Sequence, residues 1–215
     1  MQTTTRQASR KRFLIGGIIA VFALLAGTWS ALQLREHAGH VDELAATRFP
    51  EARDISAFEL VDQHGEPFTN TSLQGGWSFL FFGYTHCPDV CPTTLSVLNS
   101  VAQQLGSDAS DVRFVFITVD PERDTPEHLA RFVSYFNSDF IGVTGTPEAI
   151  EGLTKQLGVL AMRVASGDGP DSYLVDHSAG VFLMDPDGKY HAVFMPPLSA
   201  EKIVSDFLNI RDDYQ

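Results

Sequence analysis

Cysteine is scarce in this sequence: its 215 residues include only Cys87 and Cys91. Two thiols are too few for a structural zinc site built from four cysteines. Both lie in one short segment, GYTHCPDVCPTT at positions 83–94, and a proline follows each of them. Three interpretations are open for this pair: a permanent structural disulfide, an exchangeable dithiol, or part of a metal site.

Basic residues are also few beyond the N-terminus. Four of the 15 Lys and Arg side chains lie in residues 1–12, whereas all 27 Asp and Glu side chains follow residue 32. The net charge is therefore +4 for residues 1–12 and −16 for residues 33–215, which gives −12 in total. An acidic surface repels phosphate backbones, so we expect no nucleic-acid partner. The charge favours basic partners or cations, or it serves solubility alone.

Charged residues are absent from positions 13–32. At about 1.5 Å per residue, a helix of this length spans a hydrocarbon core of roughly 30 Å. A cleaved signal peptide is the alternative, but the run exceeds the usual apolar region of about 7–15 residues and no convincing A-x-A cleavage site follows it. With basic residues ahead of it, the segment predicts a single-pass anchor in the inner (cytoplasmic) membrane. Residues 1–12 are then a cytoplasmic basic tail, and the rest of the chain lies on the periplasmic side.

The exported part shows no internal repeat and no low-complexity tract. Residues 33–50 are polar and lack a strong apolar period, so we predict a tether there. Residues 51–215 are enough for one domain with its own core.

Apolar periodicity in residues 51–215 predicts strands and helices in alternation. The predicted strands are 58–62, 66–69, 77–82, 112–119, 180–184 and 191–194, and the predicted helices are 93–105, 126–136, 147–157 and 200–210. A right-handed crossover through the first helix makes strands 77–82 and 112–119 parallel neighbours. We therefore expect an α/β fold, a thioredoxin-like domain with a mixed sheet covered by helices.

Cys87 and Cys91 are predicted between the carboxyl end of a strand and the amino end of the next helix, where open α/β sheets carry functional groups. The helix amides favour a thiolate there, so we expect a thiol pKa below the usual value of about 8.5. Spacing i, i+4 also brings both sulfurs to one face, within range of a disulfide. Thioredoxin-type enzymes use C-x-x-C, and the extra residue here suits two thiolates holding one ion. Copper(I) fits two thiolates and one imidazole, but the spacing alone leaves all three interpretations open.

A third metal ligand would have to be one of seven histidines. His177 is the best candidate, because it precedes an apolar strand and can lean over the neighbouring helix N-terminus. Asp176 beside it could accept the other ring N–H. Packed or solvated roles are expected for His64, His128 and His191, and His86 is expected to orient the loop or face outward. His37 and His40 in the tether could bind metal weakly, but a flexible pair is a poor selective site.

Three segments of the sequence resemble the signature blocks of the Sco/SenC family, membrane-anchored copper chaperones of cytochrome c oxidase assembly. They are GYTHCPDVCPTTL from position 83, ITVDPERDTPEHL from 117 and YLVDHSAGVFLMDPDG from 173. The resemblance implies a thioredoxin-like domain in which Cys87, Cys91 and His177 bind one copper ion. It also implies delivery of copper to the dinuclear copper centre of cytochrome c oxidase subunit II. Asp120 and Asp124 fit the family pattern, and we expect structural roles for them.

Other functions use the same two cysteines. A thiol–disulfide oxidoreductase could reduce the cysteines of the acceptor through a redox-active Cys87/Cys91 dithiol. A peroxide-reducing or redox-sensing thioredoxin relative would need a reactive thiol but no histidine ligand. An anchored interaction domain with a plain disulfide is the remaining alternative.

Overall fold

A computed structural model of the chain describes residues 27–29, 46–167, 169 and 172–214. The chain divides into two units, residues 1–43 and 44–215. In the first unit, residues 27–29 form a helical turn with exposed side chains. The rest of the predicted anchor, the predicted basic tail and His37 and His40 of the predicted tether lie outside the described residues. Within the described part of the chain, no helix combines the length and the apolar character that a membrane crossing requires.

The second unit is built on an eight-stranded mixed sheet. Its described strands are β1 Ala46–Arg53, β2 Glu59–Asp62, β3 Pro67–Thr69, β4 Trp77–Gly83, β5 Val112–Thr118, β6 Ile141–Thr144, β9 Val181–Met184 and β10 Tyr190–Phe194. They are arranged in the order β1-β10-β9-β4-β5-β6-β2-β3. Strands β4, β5 and β6 run parallel and the other pairs are antiparallel, which confirms the predicted mixed sheet and the predicted β4/β5 pairing.

Two further strands, β7 Ala161–Ala165 and β8 Tyr173–His177, form a separate antiparallel hairpin. Four described helices cover the sheet: α1 Val90–Leu105, α2 Pro126–Phe136, α3 Pro147–Leu157 and α4 Ala200–Asp213.

Strand β4 lies at the centre of the sheet and is buried along its whole length. Alternate residues of a strand point to opposite faces, so Phe79 and Phe81 enter one core and Leu80 and Phe82 enter the other. Helices α1, α2 and α4 close the first core, and α3 closes the second. Each fully buried apolar side chain of this size contributes about 1.5–3 kcal/mol to the free energy of folding. The central sheet is therefore a rigid base for the loop that follows β4.

The predicted beginnings of two helices are confirmed in atomic detail. Thr125 Oγ1 accepts a hydrogen bond from the backbone N–H of His128 (3.3 Å), and Pro126 is the first residue of α2. Thr146 Oγ1 accepts in the same way from Ala149 N (3.2 Å) at the beginning of α3. The side chain oxygen satisfies an N–H that the helix leaves unpaired, and proline needs no such partner.

The N-terminal boundary of the sheet differs from the sequence-based expectation. Strand β1 occupies Ala46–Arg53 and so extends into the predicted tether, where it pairs with β10. The buried backbone N–H of Ala46 donates to Asp206 Oδ2 of α4 (2.9 Å). β1 is an edge strand with one buried residue, so its sequence has no apolar alternation that could predict it.

Candidate metal centre

Both cysteines lie where strand β4 gives way to helix α1. Cys87 is half-buried in the connecting loop, and Cys91 is fully buried in the first turn of α1, which begins three residues earlier than predicted. Both thiols are free, and the backbone N–H of Cys91 donates to Cys87 Sγ (3.4 Å). The two sulfurs lie close together, as the spacing predicts, but Cys87 precedes helix α1, so the loop and not a turn of helix places its sulfur.

Gly83, the last residue of β4, leaves the space that Cys91 occupies. A Cβ atom at this position would lie 2.6 Å from Cys91 Sγ and 2.8 Å from the ring of Phe116. Contacts this short do not occur between real side chains, so a larger residue would displace the thiol.

His177 reaches the cysteines from the end of strand β8. Its Nε2 lies 3.3 Å from Cys91 Sγ, and its Nδ1 lies 3.1 Å from the carbonyl oxygen of Ser178. Donation of the Nδ1 proton to this carbonyl leaves the Nε2 lone pair directed at the sulfur, which is the tautomer that a metal ligand needs. The partner of Nδ1 is thus a backbone carbonyl and not Asp176, so that prediction is wrong. Asp176 is exposed on the opposite face of the strand.

The three predicted ligand atoms form a compact group. Cys87 Sγ, Cys91 Sγ and one ring nitrogen of His177 all lie within 4.8 Å of one another. Metal–sulfur and metal–nitrogen bonds are about 2.0–2.3 Å long, so a small contraction of this triangle would place all three atoms around one ion. Among the described residues, no other three His, Cys, Asp or Glu side chains are grouped in this way.

Cys91 is buried, and Cys87 and His177 are half-buried. Burial raises the pKa of the Cys91 thiol well above its usual value, with a further contribution from neighbouring Cys87 and Asp124. The helix N-terminus does not overcome this effect, so the expectation of a lowered thiol pKa is wrong for Cys91. Burial also lowers the pKa of His177, which keeps its imidazole neutral and able to bind a metal. Phe81 and Tyr84 contact the imidazole edge-to-face at about 6 Å between ring centroids.

Asp124 holds the loop that carries Cys87. It is fully buried, and its carboxylate accepts hydrogen bonds from Thr85 N (2.9 Å), Thr85 Oγ1 (2.6 Å) and Thr118 Oγ1 (2.6 Å). Its role is structural, as expected. Bonds of this kind, made to an ionised acceptor, are among the stronger hydrogen bonds in proteins.

Asp120 and Arg123 hold the hairpin that carries His177. Asp120 accepts hydrogen bonds from the Tyr173 hydroxyl (2.8 Å) and from Arg123 Nε. The Arg123 guanidinium lies 3.7 Å from the centre of the Tyr173 ring and donates to the Tyr173 carbonyl (3.2 Å). Residues 120–124 therefore fix both halves of the candidate site, the cysteine loop and the β7–β8 hairpin. The sequence predicted structural roles for both acids but not this arrangement.

The remaining described histidines lie elsewhere. His86 is about half exposed and lies 3.9 Å from Asp124, and His64 is exposed in the β2–β3 turn. His128 Nδ1 lies 3.1 Å from the carbonyl oxygen of Arg123, and His191 is buried against Trp77. None of them joins the group formed by the two cysteines and His177.

The fold is thioredoxin-like, its dithiol lies at a strand–helix junction, and a distant hairpin adds an imidazole. These features define the class of the protein, which is a thioredoxin-like protein with a candidate site for a soft metal. The particular family follows from comparison with known proteins. The chain belongs to the SCO1/SenC family, whose model matches residues 47–211.

Relatives and solved structures agree with this assignment. The SCO2-like protein RP587 of Rickettsia prowazekii is 40% identical over 152 residues, which are 71% of this chain and 74% of that protein. The structure of Bradyrhizobium japonicum ScoI with copper bound shares 39% identity at a TM-score of 0.66, covering 72% of this chain and 98% of that one. The structure of Arabidopsis thaliana ScoI with copper bound shares 32% identity at a TM-score of 0.69, covering 74% and 98%.

Proposed function

We propose that this chain is a membrane-anchored copper chaperone of cytochrome c oxidase assembly. In this proposal Cys87, Cys91 and His177 hold one copper(I) ion and pass it to the dinuclear copper centre of subunit II. Family membership supports the proposal, as do the copper-bound structures of two relatives.

One observation carries the assignment of the site: Nε2 of His177 lies 3.3 Å from Cys91 Sγ, with Cys87 Sγ in the same group. A redox dithiol has no need of an imidazole, whereas copper(I) is satisfied by two thiolates and one nitrogen ligand. The neutral imidazole is ready to bind, and each thiol binds as a thiolate after losing its proton.

Burial suggests the order in which the ligands leave. Cys91 is fully buried, whereas Cys87 is half-buried in a loop. A three-ligand ion has an open flank to which a thiol or imidazole of the acceptor can add. The acceptor group would then displace Cys87 before Cys91, and the buried Cys91 would release the ion last.

The proposed cellular location of the protein is argued from the sequence alone. Residues 13–32 would anchor the protein in the inner membrane, with residues 1–12 in the cytoplasm. Residues 33–50 would tether the copper-binding domain, residues 51–215, on the periplasmic side. The copper-binding domain would contact the soluble copper domain of subunit II on that side of the membrane.

Anaerobic copper(I) titration of the reduced full-length chain, against a competing chelator, tests the proposal. We expect one copper per chain, and a loss of affinity of at least about tenfold for each of Cys87→Ser, Cys91→Ser and His177→Ala. His64→Ala is the matched control, because His64 is an exposed turn histidine, and it should bind copper like the wild type. Unchanged affinity in His177→Ala would remove that residue from the site.

A thiol–disulfide oxidoreductase is the second candidate, and the closeness of the two free sulfurs favours it. Here Cys87 and Cys91 would be oxidised to a disulfide, giving two electrons and two protons to a disulfide of the acceptor. A strongly reducing potential with fast exchange, retained in His177→Ala, would support this function. Loss of oxidase assembly in His177→Ala with intact dithiol exchange would support the chaperone.

A further inference from the structure

The outer face of the β7–β8 hairpin is apolar. Val164 is paired directly with Leu174 across the two strands, and Met162 lies two residues along on the same face. Leu160 continues the row, since its backbone exchanges hydrogen bonds with Ser178 at 2.9 and 3.0 Å. We call Leu160, Met162, Val164 and Leu174 the apolar hairpin face. Its side chains are 39–78% exposed.

This face stands out from the rest of the surface. Eight large apolar side chains are exposed in the described residues, and four of them belong to the apolar hairpin face. Large apolar side chains that are exposed side by side, in contrast to singly scattered ones, mark interaction sites. Two more of the eight, Val90 and Met195, lie on segments beside the candidate metal centre. Val90 stands between the two cysteines, and Met195 packs against the position of Gly180, three residues after His177.

The apolar hairpin face is not available for packing within the domain. The inner face of the hairpin already makes those contacts: Val175 is buried there, Tyr173 bonds to Asp120, and Arg163 pairs with Glu122 at 2.8 Å. His177 belongs to the same inner face and the same strand as Val175. A molecule that covers the outer face therefore touches the strand that carries the candidate copper ligand.

The charges around the face indicate what covers it. Asp176 borders the apolar hairpin face, since it is paired with Met162 across the strands, and Asp89 is exposed two residues before Cys91. Neither carboxylate makes an ion pair with any described residue. Residues 46–214 as a whole have ten basic against 24 acidic side chains. Such a surface repels an anionic bilayer and attracts a basic protein surface, mainly by raising the association rate.

We infer that the apolar hairpin face docks a copper-accepting protein domain whose contact surface has an apolar centre with Lys or Arg at its rim. The inference rests on the proposed function, because it supplies the surface by which the acceptor is aligned with His177. An acceptor docked on the outer face contacts strand β8, which ends at His177.

The test measures association and copper binding separately. The probe is the reduced, copper-free soluble domain of cytochrome c oxidase subunit II from the same organism, with the full-length chain held in nanodiscs. The double variant Leu160→Gln/Met162→Gln should weaken association at least tenfold, and Asp176→Lys should lower the association rate. Chelator competition should give the Leu160→Gln/Met162→Gln variant the copper affinity of the wild type.

Two variants serve as matched controls. Tyr135→Gln removes an apolar side chain that is 85% exposed on α2, and Glu66→Lys reverses an exposed charge in the β2–β3 turn. Both should associate like the wild type. Because association is measured without copper, a chain that binds no copper would refute the proposed function and still report on docking.

Three results would overturn the inference. The first is wild-type association in the double variant, or no saturable association in the wild type itself. The second is that the double variant binds less to vesicles rich in phosphatidylglycerol than the wild type does, while it docks the probe equally well. The face would then be a membrane contact. The third is that sedimentation shows a different degree of self-association for the double variant and the wild type, while both dock the probe equally well. The face would then be a contact between copies of the chain.

Discussion

His177 Nε2 lies 3.3 Å from Cys91 Sγ, although the two residues are 86 positions apart in the sequence. The contact joins the end of a two-stranded hairpin to the first turn of a helix, and neither element pairs directly with the other. Residues 120–124 hold both in place through Asp124 on one side and Asp120 and Arg123 on the other. The geometry of the candidate site therefore depends on a segment that contributes no ligand.

Gly83→Ala is expected to damage the site by crowding. The new methyl group would lie 2.6 Å from Cys91 Sγ, so the thiol and helix α1 must shift. Overpacking of this kind costs about 1–3 kcal/mol. Urea unfolding should show a reduced free energy of unfolding, and chelator competition a weakened copper affinity. Gly152→Ala in α3 is the control: nothing lies within 4 Å of its Cβ, so stability should hold or rise slightly. Equal behaviour of the two variants would contradict this account.

The two cysteines should differ in reactivity toward iodoacetamide. Cys91 is fully buried, and burial raises its pKa, whereas Cys87 is partly open to solvent. In the reduced native chain at pH 8, mass mapping should find Cys87 alkylated at least tenfold faster than Cys91. In urea the difference should disappear. Faster labelling of Cys91 in the native chain would mean that the loop is arranged differently.

Asp124→Asn should loosen the cysteine loop. The substitution weakens three hydrogen bonds that end on a buried carboxylate. Hydrogen bonds to charged groups contribute about 1.5–3 kcal/mol each, and the amide retains part of this, so we expect a loss of roughly 2 kcal/mol in the free energy of unfolding. Asp139→Asn changes an exposed carboxylate and should have little effect. Stability equal to that of the wild type would show that Asp124 does not hold the loop.

Arg123→Lys should free the hairpin without touching the cysteines. Lysine cannot reproduce both the stacking on Tyr173 and the hydrogen bonds of the guanidinium group. We expect faster amide hydrogen exchange in strand β8 and a copper affinity reduced about tenfold. The alkylation rates of Cys87 and Cys91 should stay at wild-type values, which separates this effect from general unfolding. Arg131→Lys, on the exposed side of α2, is the control. Wild-type exchange in β8 would refute the positioning role.

Much of the fold could be predicted from the sequence because strong periodicity and capping patterns are local. The runs that became β4 and β5 are continuously apolar, and Thr125 with Pro126 marks the beginning of α2. The hairpin β7–β8 was not predicted in this way, because every residue of β7 is exposed and β8 has one buried residue, so neither strand has the continuous apolar run of β4 and β5. Short β6 was missed for a related reason, since four residues carry little periodic signal.

The sequence predicted the ligand residues of the candidate site, but not the contacts that hold those residues in place. The spacing of Cys87 and Cys91 predicted that their sulfurs lie close together, although Cys87 belongs to the loop before helix α1 and not to its first turn. The position of His177 before an apolar strand made it the best candidate among seven histidines, and the family resemblance implied it as the ligand, because contacts between distant segments leave no short pattern. The carbonyl partner of its Nδ1 and the Arg123–Tyr173 contact depend on loop geometry that no motif describes.

X-ray absorption at the copper edge tests the central claim most directly. The reduced full-length chain loaded with one copper(I) should show two sulfur scatterers and one imidazole nitrogen, and His177→Ala should lose the nitrogen and keep both sulfurs. A wild-type spectrum with sulfur ligands alone, or an imidazole signal that persists in His177→Ala, would contradict a site formed by Cys87, Cys91 and His177.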